Sequence, residues 1–209
     1  SGRRPSQADC SNITSVNLPV SITQYTLKRQ WMKLVGSNFR IYDPAGQLVA
    51  FVHQKGFKLK EDIRVYADEG QSRELMVIQA RTIMDFSAAY DIWDSERQIK
   101  IGAMRRKGWS SIIRDEWDVL DPNDQVIGKL HEDSMVLALV RRFLSNLVPQ
   151  NYDMIMFDGR KVVDFRQAFN PFLYNLTIDF SMDPQATLDR RMGFAAGILL
   201  AAIEGRQSG

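Results

Sequence analysis

Along this chain apolar and polar positions alternate in short runs, the period of a strand that buries one face. Gln98-Ile99-Lys100-Ile101-Gly102-Ala103-Met104 shows it most clearly. In 172–180, Phe172, Tyr174, Leu176, Ile178 and Phe180 alternate with Leu173, Asn175, Thr177 and Asp179. Leu75 to Ala80 and Ile83 to Phe86 read as further strands. A larger unit recurs above this period. Phe39-Arg40-Ile41-Tyr42-Asp43, Tyr90-Asp91-Ile92-Trp93-Asp94, Trp117-Asp118-Val119-Leu120-Asp121 and, more loosely, Tyr152-Asp153-Met154-Ile155 with Asp158 run aromatic, polar, aliphatic, large apolar, aspartate. The first three continue through Pro44-Ala45-Gly46-Gln47, Ser95-Glu96-Arg97-Gln98 and Pro122-Asn123-Asp124-Gln125, and the fourth turns at Asp158-Gly159. An apolar-rich run follows each turn, so each unit predicts a β-hairpin. Aspartate at the start of a turn accepts backbone N–H groups two residues on, and a following proline presets φ. Open sheet edges invite aggregation, so a domain with this many strands is expected to close them into a barrel.

Two segments carry a helical pattern. From Met192 through Ile203 the chain is apolar on every face, with Asp183 as expected N-cap, Pro184 at the first helical position and Gly205 as the stop. A helix over about 184–204 must then be buried all round. Its apolar run is bounded by Arg190, Arg191 and Glu204, and falls short of the roughly 20 residues a membrane span needs. The second segment, Ser134 to Val148, places Val136, Leu139, Val140, Phe143 and Leu147 at helical spacing, with Arg141, Arg142, Ser145 and Asn146 opposite. It predicts an amphipathic helix packed on its own domain, with lying in an anionic membrane surface as the rival use and docking of a protein partner, the domain then acting as an interaction scaffold, as a third. Residues 1–20 read as a polar arm and 21–206 as one domain.

Composition narrows the function classes. Of 209 residues 44% are hydrophobic and 25% charged, the globular average. A net charge of +2 and a pI near 8.7 are too balanced for a dedicated nucleic-acid binder. Cys10 is the only cysteine, which excludes a disulfide framework and a cysteine metal site and fits a reducing compartment. With no apolar leader pattern at the N-terminus, the expected location is cytoplasmic, extending to the membrane periphery. Gathering Asp91, Asp94, Asp118 and Asp121 into a metal or acid–base cluster is the rival to turn formation, but four similar aspartates at four similar turns need no such purpose. The stretch from Asp121 to Glu132 imitates a calcium loop, yet Val126 stands where the sharp turn needs glycine.

Phe39-Arg40-Ile41-Tyr42-Asp43, Phe86-Ser87-Ala88-Ala89-Tyr90-Asp91-Ile92 followed by Ile101-Gly102, Trp117-Asp118-Val119-Leu120-Asp121 followed by Ile127-Gly128, and the final apolar helix together resemble the Tubby C-terminal-like superfamily, which includes the LURP-one-related proteins and the phospholipid scramblases. The resemblance covers about Tyr25 to Glu204. It implies a mainly β (α+β) fold: a closed antiparallel β-barrel of about a dozen strands around a buried C-terminal helix, here with one additional amphipathic helix. It also implies a lipid-facing module, because similar domains bind phosphoinositides at a basic surface. The cysteine-rich stretch and proline-rich tail of the scramblases are missing.

The local candidate for binding anionic lipid is Arg105-Arg106-Lys107-Gly108-Trp109, with Lys100 and Arg114 nearby. Arginine and lysine suit phosphate and tryptophan suits a lipid interface, whereas Asp115 and Glu116 weaken the local field. Lys55-Gly56-Phe57-Lys58-Leu59-Lys60 reads as an exposed strand edge. Signatures of an enzyme are missing: there is no Gly-x-Ser-x-Gly elbow, phosphate-cradling glycine loop or His-Glu-x-x-His pair. His53 and His131, at comparable places on two returning strands, are the remaining candidates for acid–base or metal chemistry, His131 beside Glu132 and Asp133. The expectation is a non-catalytic binding module without cofactor or metal.

Overall fold

The structure, a computed structural model, describes residues 20–30, 37–54, 62–81, 88–106, 116–132, 151–168, 170 and 173–207. The described residues form strands β1 (Gln24–Gln30), β2 (Ser37–Tyr42), β3 (Leu48–Gln54), β4 (Ile63–Tyr66), β5 (Glu74–Ala80), β6 (Ala89–Asp94), β7 (Ile99–Arg106), β8 (Glu116–Leu120), β9 (Val126–Glu132), β10 (Asn151–Met156), β11 (Lys161–Ala168) and β12 (Leu173–Asp179), then a helix, α1 (Arg190–Gln207). Each strand pairs antiparallel with its neighbours in sequence, and β1 closes the barrel on β12, Thr26 lying between Thr177 and Tyr42. The predicted helix over Ser134 to Val148 and the runs Ile83 to Phe86 and Lys55 to Lys60 lie outside the described residues.

All four repeated units are hairpins, and their aspartates do what turn chemistry asks. Asp43 Oδ1 accepts the Gln47 amide at 2.8 Å, Asp94 Oδ1 those of Glu96 and Arg97 at 2.9 Å, Asp121 Oδ1 those of Asn123 and Gln125 at 2.8 Å, and Asp158 Oδ1 that of Arg160 at 3.0 Å. A fifth hairpin, β4–β5, belongs to the same set: Asp68 takes the Ser72 hydroxyl at 2.5 Å, and Gln71 is left-handed at φ 57°. Each hairpin also slips register just before its turn, between Ile41 and Tyr42, Val65 and Tyr66, Ile92 and Trp93, Val119 and Leu120, and Met154 and Ile155. A bulge adds local twist, so the repeat distributes around the ring the curvature that closure requires.

Because neighbouring strands are antiparallel, their connections sort to two ends. The five short hairpin turns, the start of β1 and the segment 180–189 lie at one end, called here the turn end. The connections 31–36, 55–62, 81–88, 107–115, 133–150 and 169–172 leave and re-enter the strands at the other. Alternation puts Tyr25, Leu27, Phe39, Ile41, Tyr90, Ile92, Trp117, Tyr152, Phe165 and Leu176 in one buried core.

The helix starts later than its sequence signals suggest. Asp183 does accept backbone bonds, from Thr187 N at 2.9 Å and Leu188 N at 3.0 Å, but it closes a separate turn in which Ala186 is left-handed at φ 50°. Asp189 is the N-cap, taking the Arg191 amide at 3.0 Å, and the helix runs past Gly205 to Gln207. Side chains from Met192 through Ala202 are all buried. A Cβ on Gly193 would come within 2.5 Å of the Phe180 ring, and one on Gly197 within 2.8 Å of Ile178 Cδ1, so these glycines let the helix lie close along β12 and its end. A Cβ on Gly102 of β7 would meet Met192 Sδ at 2.9 Å. Arg29 of β1 donates to the Ala201 carbonyl at 3.0 Å.

Candidate functional site

Strand β7 carries three of the sequence candidates and separates them. Lys100 is near the turn end, whereas Arg105 and Arg106 end the strand about 17 Å away, at roughly 3.3 Å per residue. The Lys100 ammonium, 15% exposed, lies 2.6 Å from Asp124 Oδ1 and 3.0 Å from Asp91 Oδ1. Arg81 bridges the same two carboxylates, reaching Asp91 at 2.7 Å. The result is a compact quartet without net charge. The bond to Asp91 is the main reason the Arg81 guanidinium is pushed above its ordinary value. Burial pushes the Asp91 carboxyl up, but Arg81 and Lys100 outweigh it and hold it below the ordinary carboxylate value. A quartet this well paired leaves Lys100 little to offer a ligand.

Arg105 faces outward, bonded to the buried Asp118 at 2.8 Å, with 41% of its side chain exposed. Arg106, one residue on, turns to the core face, where its guanidinium stands 6.0 Å over the Trp117 ring. Both sit at the foot of connection 107–115. Lys107, Trp109 and Arg114, which follow in sequence, lie outside the described residues.

Charge divides between the ends. The turn-end segments 20–23, 43–47, 67–73, 95–98, 121–125, 157–160 and 180–189 hold nine carboxylates against three arginines, a net of −6; the chain carries +2, so the remainder carries +8. In sequence, the six segments that join the hairpins hold nine cations against five acids, a net of +4; of these only Asp62 and Arg81 are among the described residues, and Arg81 is paired with Asp91 and Asp124. These segments are also rich in aromatic residues, among them Trp31, Phe57, Phe86, Trp109, Phe143, Phe169 and Phe172.

Against known protein families, residues 23–192 match the one described as LURP-one-related, a match that takes in all twelve strands and the first turn of α1. The chain belongs to the LURP-one-related family. That family is part of the Tubby-like superfamily, as the repeated hairpins and final helix suggest. No curated protein matches the chain.

Other polar groups of this LURP-one-related domain are placed as follows. His53 on β3 and His131 on β9 stand on outward faces six strands apart around the ring, so the fold does not bring them together. His53 stacks on Phe51 and its Nδ1 lies 3.0 Å from Asn38 Oδ1. Among the described residues no group of three His, Cys, Asp or Glu side chains is placed to hold a metal ion, and no helix is long and apolar enough to cross a membrane. On β10 and β11, Lys161 joins Asp153 at 2.7 Å and Asp164 at 2.6 Å, while Arg166 reaches Asp164 at 2.7 Å. Burial, with the Asp153 carboxyl beside it, holds Asp164 above its ordinary value against the pull of Lys161. At the turn end Arg191 reaches the 2% exposed Asp94 side chain at 2.6 Å and Asp189 at 2.7 Å. This pair ties the first turn of α1 to the β6–β7 hairpin, a contact the repeat could not foretell.

Proposed function

We propose that this LURP-one-related domain is a non-catalytic module that binds anionic lipid headgroups through the basic end of its barrel. The observation that carries the reading is the sorting of charge, −6 at the turns against +4 in the opposite connections. A cytoplasmic membrane leaflet is anionic, and each juxtamembrane Lys or Arg near it contributes about 1 kcal/mol. Arg105, Arg106, Lys107, Trp109 and Arg114 are the proposed headgroup contacts, tryptophan lying at the polar boundary. Lys100, paired at the other end of β7, acts by holding the barrel wall. In this reading α1 fills the lumen. Supporting this, β7 and β1 stand six strands apart in either direction, both approach the helix, and its side chains are buried on every face. A filled lumen puts the lipid outside the barrel, as binding at the basic surface requires. Phosphoinositides, with the highest charge per headgroup, are the favoured ligands, and the site is peripheral and cytoplasmic.

Sedimentation with liposomes tests this. Neutral liposomes should leave the protein in solution, and phosphatidylserine or phosphoinositide liposomes should carry it down, less so as salt shortens the screening length. Protein that stays in solution with every anionic composition at low salt would refute the reading.

A further inference from the structure

The turn end has a second property besides its acidity. Among the described residues the exposed large hydrophobic side chains are Val20 (50%), Ile99 (50%), Phe157 (67%) and Met182 (40%). Val20 precedes β1, Ile99 opens β7, Phe157 tips the β10–β11 hairpin and Met182 follows β12, so all four belong to the turn end. Three of them stand on consecutive rim segments in the strand order β10–β11–β12–β1. The Phe180 amide donates to the Thr23 carbonyl at 2.7 Å, which holds the segments of Met182 and Val20 side by side. Phe157 projects from a turn whose backbone is pinned, its own amide donating to Ile127 O at 3.0 Å. Nothing in turn formation asks for phenylalanine there, since Asp158 and Gly159 already close the hairpin.

We infer that the turn end is a docking surface for a basic amphipathic segment of a partner protein. Exposed apolar side chains gathered on one rim mark contact surfaces. The surrounding segments carry a net −6 in sequence, lessened where Arg40, Lys100, Arg81 and Arg191 pair with Glu69, Asp124 and Asp189, and the acidic excess favours lysine- or arginine-rich chains that carry an apolar face over an anionic membrane or an acidic peptide. Such a segment would set its apolar side chains on Phe157, Met182 and Val20 and its cations toward the carboxylates of the turns. The site stands apart from the proposed lipid surface, so the domain could hold a membrane with one end and a protein with the other.

The probe is a fluorescently labelled synthetic helix of leucine and lysine, set against the same peptide with its lysines replaced by glutamate, and read by fluorescence anisotropy with the full chain. The lysine peptide should bind saturably and the glutamate peptide should not. Phe157→Ser with Met182→Ser should weaken binding by about tenfold or more, since a few central apolar groups dominate such contacts. Glu96→Lys with Gln185→Lys, two exposed rim positions, should weaken it several-fold and reduce its salt dependence. Unchanged thermal melting separates lost binding from lost folding. Equal binding of both peptides, or lysine-peptide affinity indifferent to Phe157→Ser and Met182→Ser, would overturn the proposal. So would sedimentation showing that the rim is covered by a second copy of the chain. Loss of liposome binding leaves each of these readouts unaffected, so the two proposals fail separately.

Discussion

The two ends of this barrel are built from the same strands and ask opposite things of the chain. At the turn end every connection is short and braced from within: aspartates bond turn amides, Asp183 closes its own loop, and Arg191 ties α1 to the β6–β7 hairpin through Asp94. At the other end six connections carry cations and aromatic residues in sequence, and Arg105 and Arg106 lead into one of them. Acidic residues at the turns serve the fold, whereas the cations of the other end answer to no repeat. In the proposed reading the difference separates stability from binding, and it can be broken at either end.

Arg191→Gln should have the largest effect, about 3 kcal/mol lost in chemical denaturation, because it leaves a buried carboxylate without its partner. Liposome binding by the folded fraction should be unaltered. The mirror experiment combines Lys107→Glu and Arg114→Glu. Affinity for anionic liposomes should fall tenfold or more, about 1.4 kcal/mol per tenfold, with little change in melting. Gly193→Ala sets overpacking against Phe180, about 1–3 kcal/mol, against about 1 kcal/mol gained in helix propensity. A net loss is expected from the 2.5 Å approach, read as a lower denaturation midpoint. Asp121→Ala removes the acceptor of two turn amides and should cost about 1 kcal/mol. Its signature is faster amide exchange confined to the β8–β9 hairpin.

The smallest effect is a pH dependence. Burial pushes the Asp94 carboxyl up, but the turn amides and Arg191 outweigh it and hold it below its usual 3.8. A depressed carboxylate contributes its stability above the unfolded value and loses it as pH falls through the folded value. The wild-type chain should therefore lose stability below about pH 4, and Arg191→Gln should lose less over the same interval. An identical acid limb in the two proteins would remove Arg191 from this account.

Much of the fold was legible because it is periodic. The unit ending in Asp43, Asp94 and Asp121 encodes turn, strand and bulge together, so three hairpins could be read at once and a fourth more loosely. The fifth, at Asp68, escaped because Val65-Tyr66-Ala67 blunts the pattern before its aspartate. The start of α1 was misplaced by six residues for a similar reason: Asp183-Pro184 carries every N-terminal signal, but Ala186 in the left-handed region breaks the helix, and Asp189 caps in its place. The candidate site was legible only in part. Adjacent cations can be seen in a sequence, and Arg105 and Arg106 do stand together at the end of β7. Lys100 belonged with them by proximity in the chain, yet four residues of strand separate it from Arg105 and its ammonium is paired with Asp91 and Asp124. The opposed charges of the two ends depend on strand direction, which no local window contains.

The central claim is that one end meets the membrane and the other does not. An environment-sensitive fluorophore placed by Lys107→Cys or by Gln185→Cys, each with Cys10→Ser, measures this directly on phosphoinositide liposomes. The account predicts a blue shift and enhancement from the label at 107 and none from the label at 185. The reverse pattern, or equal responses from both, would contradict it.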